Sequence, residues 1–195
     1  GGNAYDASDT ENDNIAIGYD AMTTNTAGGT ANVAVGNYAL DALTSGDANV
    51  AVGDNALSAN NSGGSNTSIG HESLAANTTA SNNTAVGKGS LTTNTTGADN
   101  VAVGFTALTA NTTGGDNIAI GSQSLLANTT GGDNVSIGTD AMQSNTTGAD
   151  NVAIGKDCML ANTEGVNNVA MGNISLIANT TGSRNTAIGA ESMND

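Results

Sequence analysis

The chain has 195 residues with 27 Gly, no Pro, only 2% aromatic residues, and a formal charge of −15 from 18 acidic against three basic side chains. That balance argues against binding to a nucleic-acid backbone or an anionic membrane surface, and so little bulky apolar material argues against a thick globular core. The single Cys158 rules out an intramolecular disulfide and a thiolate metal cage, and no apolar run is long enough for a membrane-spanning helix.

Residues 1–13 are acidic and off-period, which predicts an N-terminal cap or linker. From Asn14 onward the chain repeats. A Gly closes each Asn-x-Ala-x-Gly group at Gly18, Gly36, Gly53, Gly70, Gly87, Gly104, Gly121, Gly138, Gly155, Gly172 and Gly189, always 17 residues apart except for a first interval of 18. A fixed short period running through residues 14–195 predicts one elongated all-β body, a parallel β-solenoid of about eleven coils, in which each unit buries its apolar residues only by stacking on its neighbours.

With the Asn of each unit as position one, position four reads Ile17, Val35, Val52, Ile69, Val86, Val103, Ile120, Ile137, Ile154, Met171 and Ile188. This unbroken, mostly β-branched column predicts a strand with position four facing the core, joined by position two, which is mostly Val or Ile but admits Thr67, Thr84 and Thr186. Position three is always small, as at Ala34, Ala51, Ala85, Ala102, Ala119 and Ala153. Alternation puts it on the opposite face, where strict smallness predicts close approach by another protomer or by another part of the coil. Position nine is Leu or Met throughout, including Leu57, Leu74, Leu91, Leu108 and Leu125, and is predicted as the second core wall, on a short strand. Gly at positions five and fifteen predicts corners at positive φ, with Ala80 the exception at fifteen. Asn at positions one and twelve predicts amide ladders running from coil to coil.

The pattern Asn-Val-Ala-Ile-Gly, as in Asn151 to Gly155, followed by a small residue three positions on, resembles the head repeat of YadA-type trimeric autotransporter adhesins, and similar units occur in phage and viral tail fibres. The resemblance covers about residues 14 to 193. It implies a left-handed parallel β-roll, three chains side by side, and surface attachment without catalysis. The 17-residue unit is longer than the usual head repeat and carries an Asn-Thr-Thr-Gly insert, seen at Asn111 to Gly114.

Several residue patterns bear on chemistry. Asp99, Asp116, Asp133 and Asp150 share position seventeen in consecutive coils; they are candidates for Ca²⁺, set against Asx-type turns, and no other cofactor is expected. The Asn-Thr-Thr segments offer Thr columns of the kind that bind ice, and they also read as glycosylation sequons at Asn77, Asn94, Asn111, Asn128, Asn145 and Asn179, with further sequons such as Asn60 and Asn173. His71, beside Glu72, has no column of partners and reads as solvated rather than catalytic. Tyr19, Tyr38 and Phe105 read as too dispersed for a stacking platform. The expectation is an extracellular, cell-surface or virion-surface fibre module that is not an enzyme. It would assemble as a homo-oligomer, either trimer or end-to-end filament, and would meet a host-surface or matrix ligand, with no nucleic acid and no membrane insertion. A stand-alone ice- or Ca²⁺-binding solenoid is the alternative.

Overall fold

A computed structural model describes residues 13–25 and 28–194; of the predicted cap over residues 1–13, all but Asp13 lies outside the described residues. Eleven three-residue strands follow in chain order: β1 Ile15–Ile17, β2 Val33–Val35, β3 Val50–Val52, β4 Thr67–Ile69, β5 Thr84–Val86, β6 Val101–Val103, β7 Ile118–Ile120, β8 Val135–Ile137, β9 Val152–Ile154, β10 Val169–Met171 and β11 Thr186–Ile188. They form one parallel sheet in sequence order. Pairing is in register at every step, for example Val101 with Ile118, Ala102 with Ala119 and Val103 with Ile120. The chain is therefore a β-solenoid of 17-residue coils, and like residues do lie in rows.

Hydrogen bonds between coils continue well beyond the sheet. Leu57 N–H donates to Ser73 O at 3.0 Å, Asn61 N–H to Thr78 O at 2.9 Å, and Gly53 N–H back to Val35 O at 2.8 Å. Turn segments are thus cross-linked to the coils above and below as the strands are, with a few bonds closing within the coil, as Asn128 N–H to Leu125 O at 3.3 Å. The second short strand predicted around position nine does not form. Positions seven and nine both sit at positive φ, as at Asn55 (55°) and Leu57 (54°), and this folds the segment back on itself instead of extending it. Position seventeen, at Asp99 (60°) and Asp116 (59°), supplies a third left-handed residue to the coil.

The core is inverted relative to the sequence expectation. Ala34, Ala51, Ala85, Ala102, Ala119 and Ala153, predicted to face outward toward a protomer, are fully buried inside the coil. The column from Ile17 through Val35, Val52, Val86, Val103 and Ile137 to Ile188, predicted as core, lies on the outer face. Ile69, Ile120, Ile154 and Met171 are 37–40% exposed in the middle of the stack, and Ile17 and Ile188 60% and 69% at its ends. The reason is room. Position three meets position eight across a coil so thin that their side chains touch: Ser68 Oγ and Ser73 Oγ lie 2.5 Å apart, Ser124 Oγ donates to Ser136 Oγ at 2.8 Å, and Cys158 Sγ donates to Ala170 O at 3.3 Å. Only Ala, Ser or Cys fits there, so the branched residues are turned out. Of the two explanations for the small column, close approach by another part of the coil is the one observed.

Leu57, Leu74, Leu91, Leu108 and Leu125 are fully buried, as expected. The Asn ladders form too. Asn111 Nδ2 donates to Asn94 Oδ1 at 2.8 Å and to Gly114 O at 2.8 Å, and Asn128 Nδ2 donates in turn to Asn111 Oδ1 at 2.9 Å. At position one, Asn117 takes both its backbone N–H (3.0 Å) and its Nδ2 (3.1 Å) to Asn100 Oδ1. The interior is therefore a Leu column between two amide ladders, with small residues along the sheet. Gly53 at position five turns at φ 139°, as predicted, but at position fifteen only Gly28 of the 18-residue first coil is at positive φ (98°), and the glycines from Gly46 onward are not. They are small for a different reason: a Cβ on Gly114 would collide with Gly131 O of the next coil and with the Oδ1 of Asn111.

Candidate functional surfaces

Turning the strand outward places two apolar columns, positions two and four, side by side along the whole sheet. Val33, Val50, Val101, Val135, Val152 and Val169 stand in the first and are half-buried. Eleven strands at about 4.8 Å make this face about 50 Å long. Thr67, Thr84 and Thr186 are its polar interruptions. Sequence reasoning had both columns but placed them inside.

The Asn-Thr-Thr segments do not behave as modification sites. Asn77, Asn94, Asn111, Asn128 and Asn145 are fully buried, and their Nδ2 hydrogens are spent on the preceding rung and on the residue-fifteen carbonyl, as in Asn94 to Asn77 Oδ1 and Gly97 O. Asn179 makes the same bonds to Asn162 Oδ1 and Gly182 O. A glycan on these nitrogens would have to displace the ladder's hydrogen bonds, which weighs against these sequon candidates as modification sites. The first Thr of each pair donates to a carbonyl of the next coil, as Thr95 Oγ1 to Thr112 O at 2.9 Å and Thr112 Oγ1 to Thr129 O at 3.0 Å. Only the second, exemplified by Thr96, Thr113, Thr130 and Thr147, is exposed, so the segment presents a single rank of hydroxyl groups.

Asp99, Asp116, Asp133 and Asp150 are exposed in a row. Their left-handed backbone favours Asp and Asn over other L residues, which accounts for the column without a ligand. Among the described residues no group of three or more His, Cys, Asp or Glu is placed to hold a metal ion. His71 Nδ1 lies 3.6 Å from Glu72 Oε2 on the surface. Cys158 is buried in the small column, and burial pushes its thiol up to about 11. Among the described residues no helix is long and apolar enough to cross a membrane.

One further surface escaped the sequence reading. Positions six, seven and ten lie along one edge beside the sheet, and seven and ten are tied together where Gln143 Nε2 donates to Asp140 Oδ1 at 2.8 Å and to Gln123 Oε1 at 2.7 Å. Position six holds Tyr19, Asn37, Asp54, His71, Lys88, Phe105, Ser122, Thr139, Lys156, Asn173 and Ala190. No other column varies so widely in chemistry. Tyr19 and Tyr38 meet here, with ring centroids 5.6 Å apart and planes at 75°. A period of 17 residues stacks position six of one coil on position six of the next, with position seven beside it, and that row was the available signal. No family profile, curated protein or solved structure matches this chain.

Proposed function

We propose that the chain is a structural, adhesive module of an extracellular or virion-surface fibre, that it acts without catalysis, and that copies pack through the outward Val/Ile face. The observation that carries this reading is the face itself: two mostly Val and Ile columns, interrupted only by Thr67, Thr84 and Thr186 and by Met171, left half-covered on a body whose interior is already filled. With an apolar band about 10 Å wide, each copy offers about 500 Å², so two copies would bury about 1,000 Å², near the lower bound for a specific interface. A three-fold arrangement would let columns two and four pack on different neighbours, in keeping with the resemblance to trimeric adhesin heads and with their left-handed coil. Repetition would then make a stiff rod whose remaining edges point to solvent, suited to presenting contacts many times over.

The test is the mass in solution by sedimentation equilibrium. The expected value is a fixed multiple of 18.9 kDa, with the three-fold arrangement giving three times that mass. A monomer mass at all concentrations would overturn the reading. Mass that grows without limit as concentration rises would point to end-on stacking in place of face packing.

A further inference from the structure

The variable edge calls for a reason that the coil itself does not supply. Inside the coil every column answers to a packing demand: small at three and eight, Leu or Met at nine, Asn at one and, but for the buried Leu43, at twelve. Position six is exposed in almost every coil, touches none of these columns, and is where residue type is released. In repeat proteins such a released strip beside a rigid scaffold is where recognition is carried. Its composition is also distinct. Every aromatic side chain among the described residues, both lysines and the only histidine lie at positions six and seven.

The chemistry is most concentrated in the first two coils. Tyr19 is 49% and Tyr38 39% exposed, and their near-perpendicular rings make an L-shaped aromatic corner. Asn37 Oδ1 accepts Tyr19 N–H at 3.0 Å, which fixes the amide beside the rings and leaves its Nδ2 hydrogens to act as donors. Asp20 is the neighbour of Tyr19 in the chain, and its charge repels the Asp41 carboxylate. Rings that offer an apolar face, flanked by carboxylate acceptors and an amide donor, match a ligand with C–H faces and a rim of hydroxyl groups.

We propose that this edge is a saccharide-binding strip and that Tyr19 and Tyr38, with Asp20 and Asn37, form a contact point for a neutral pyranose of an oligosaccharide. Neutrality follows from the local carboxylates and from the chain's charge of −15, which oppose an anionic glycan. The site lies beyond the position-five corner, outside the Val/Ile face, so it stays open whether or not copies pack there.

The chain has no Trp and three Tyr, two of them the corner itself, so a ligand-induced change in tyrosine emission that is lost in the Tyr19→Phe/Tyr38→Phe pair reports on the corner. Titration with cellohexaose, maltohexaose and chitohexaose is expected to give a saturable change with at least one of them and none with dextran sulfate. The double variant Tyr19→Ala/Tyr38→Ala should weaken that binding by about tenfold or more, followed by calorimetry since the reporter is lost, while Tyr19→Phe/Tyr38→Phe and the distant Thr113→Ala retain it. Both rings are exposed, so melting of the variants should match the parent, and the Phe pair keeps the test valid if the Ala pair does not fold. Absence of binding to all three neutral oligosaccharides, preference for dextran sulfate, or equal binding by a folded Ala pair would overturn the proposal. None of these outcomes depends on the mass in solution.

Discussion

The asparagine at position twelve shows how one residue type holds this coil together. Asn111 donates to Asn94 Oδ1 and Gly114 O and accepts from Asn128, so Asn111→Ala orphans an acceptor above and a donor below in a site closed to water. At about 1–3 kcal/mol for each orphaned group, the expected loss is about 3 kcal/mol, against almost none for the adjacent exposed Thr113→Ala; urea unfolding of the two variants is the comparison. Asp41 offers a test with the opposite sign. Burial, partly offset by its own and Ala42's backbone N–H groups and reinforced by repulsion from Asp20, raises its carboxyl above the usual 3.8. A carboxyl whose pKa is raised on folding favours the folded state fully at pH below 3.8, and that contribution is lost as pH climbs through the raised value. Asp41→Asn should therefore raise the melting temperature at neutral pH, and the gain should shrink as the pH is taken below the carboxylate range.

At the scale of the strand, the decisive quantity is which side of a three-residue element is wet. The sequence made the period, the ladders and the Leu wall legible because each repeats in one column and has one physical use. Alternation in Val101–Ala102–Val103 says only that the two faces differ, and a preference for burying the larger residue chose the wrong one. What reversed it is the thinness of the coil, which comes from left-handed residues at positions seven, nine and seventeen. Asn82, Asp99 and Asp116 hint at that conformation, but Leu57 and Leu108, at 54° and 53°, carry no such signal. The sequon pattern is ambiguous for a related reason: a residue in an interior ladder cannot also offer its amide nitrogen to a glycan, yet Asn111-Thr112-Thr113 has the same letters in either role. Substitution separates the two orientations of the strand. Ala102→Leu overfills a site walled by position eight and should cost at least about 3 kcal/mol or prevent folding, whereas Val103→Glu should leave the melting of the coil nearly unchanged and release assembled copies to the monomer mass. Reversal of those two outcomes would restore the branched residues to the core.

For the molecule as a whole, charge works against the face that would bring copies together. Each chain carries −15 with a sequence pI of about 4.1, and the row Asp99, Asp116, Asp133 and Asp150 lies on the corner that leads into the Val/Ile sheet. Copies packed along that sheet would bring like-charged edges within a Debye length, about 10 Å at 0.1 M salt. The apolar contact is indifferent to this screening and is itself strengthened by excluded salts. Assembly should therefore tighten with ionic strength, the reverse of what an interface held by ion pairs would do. Sedimentation velocity at about 10 mM and about 500 mM NaCl tests the sign: the assembled fraction at fixed chain concentration is expected to rise, and lowering the pH toward 4.1 should act in the same direction as carboxylates lose charge. An assembly that comes apart in salt would mean that Lys88, Lys156 and Arg184 hold it, and the Val/Ile face would then have to meet something other than another copy of this chain.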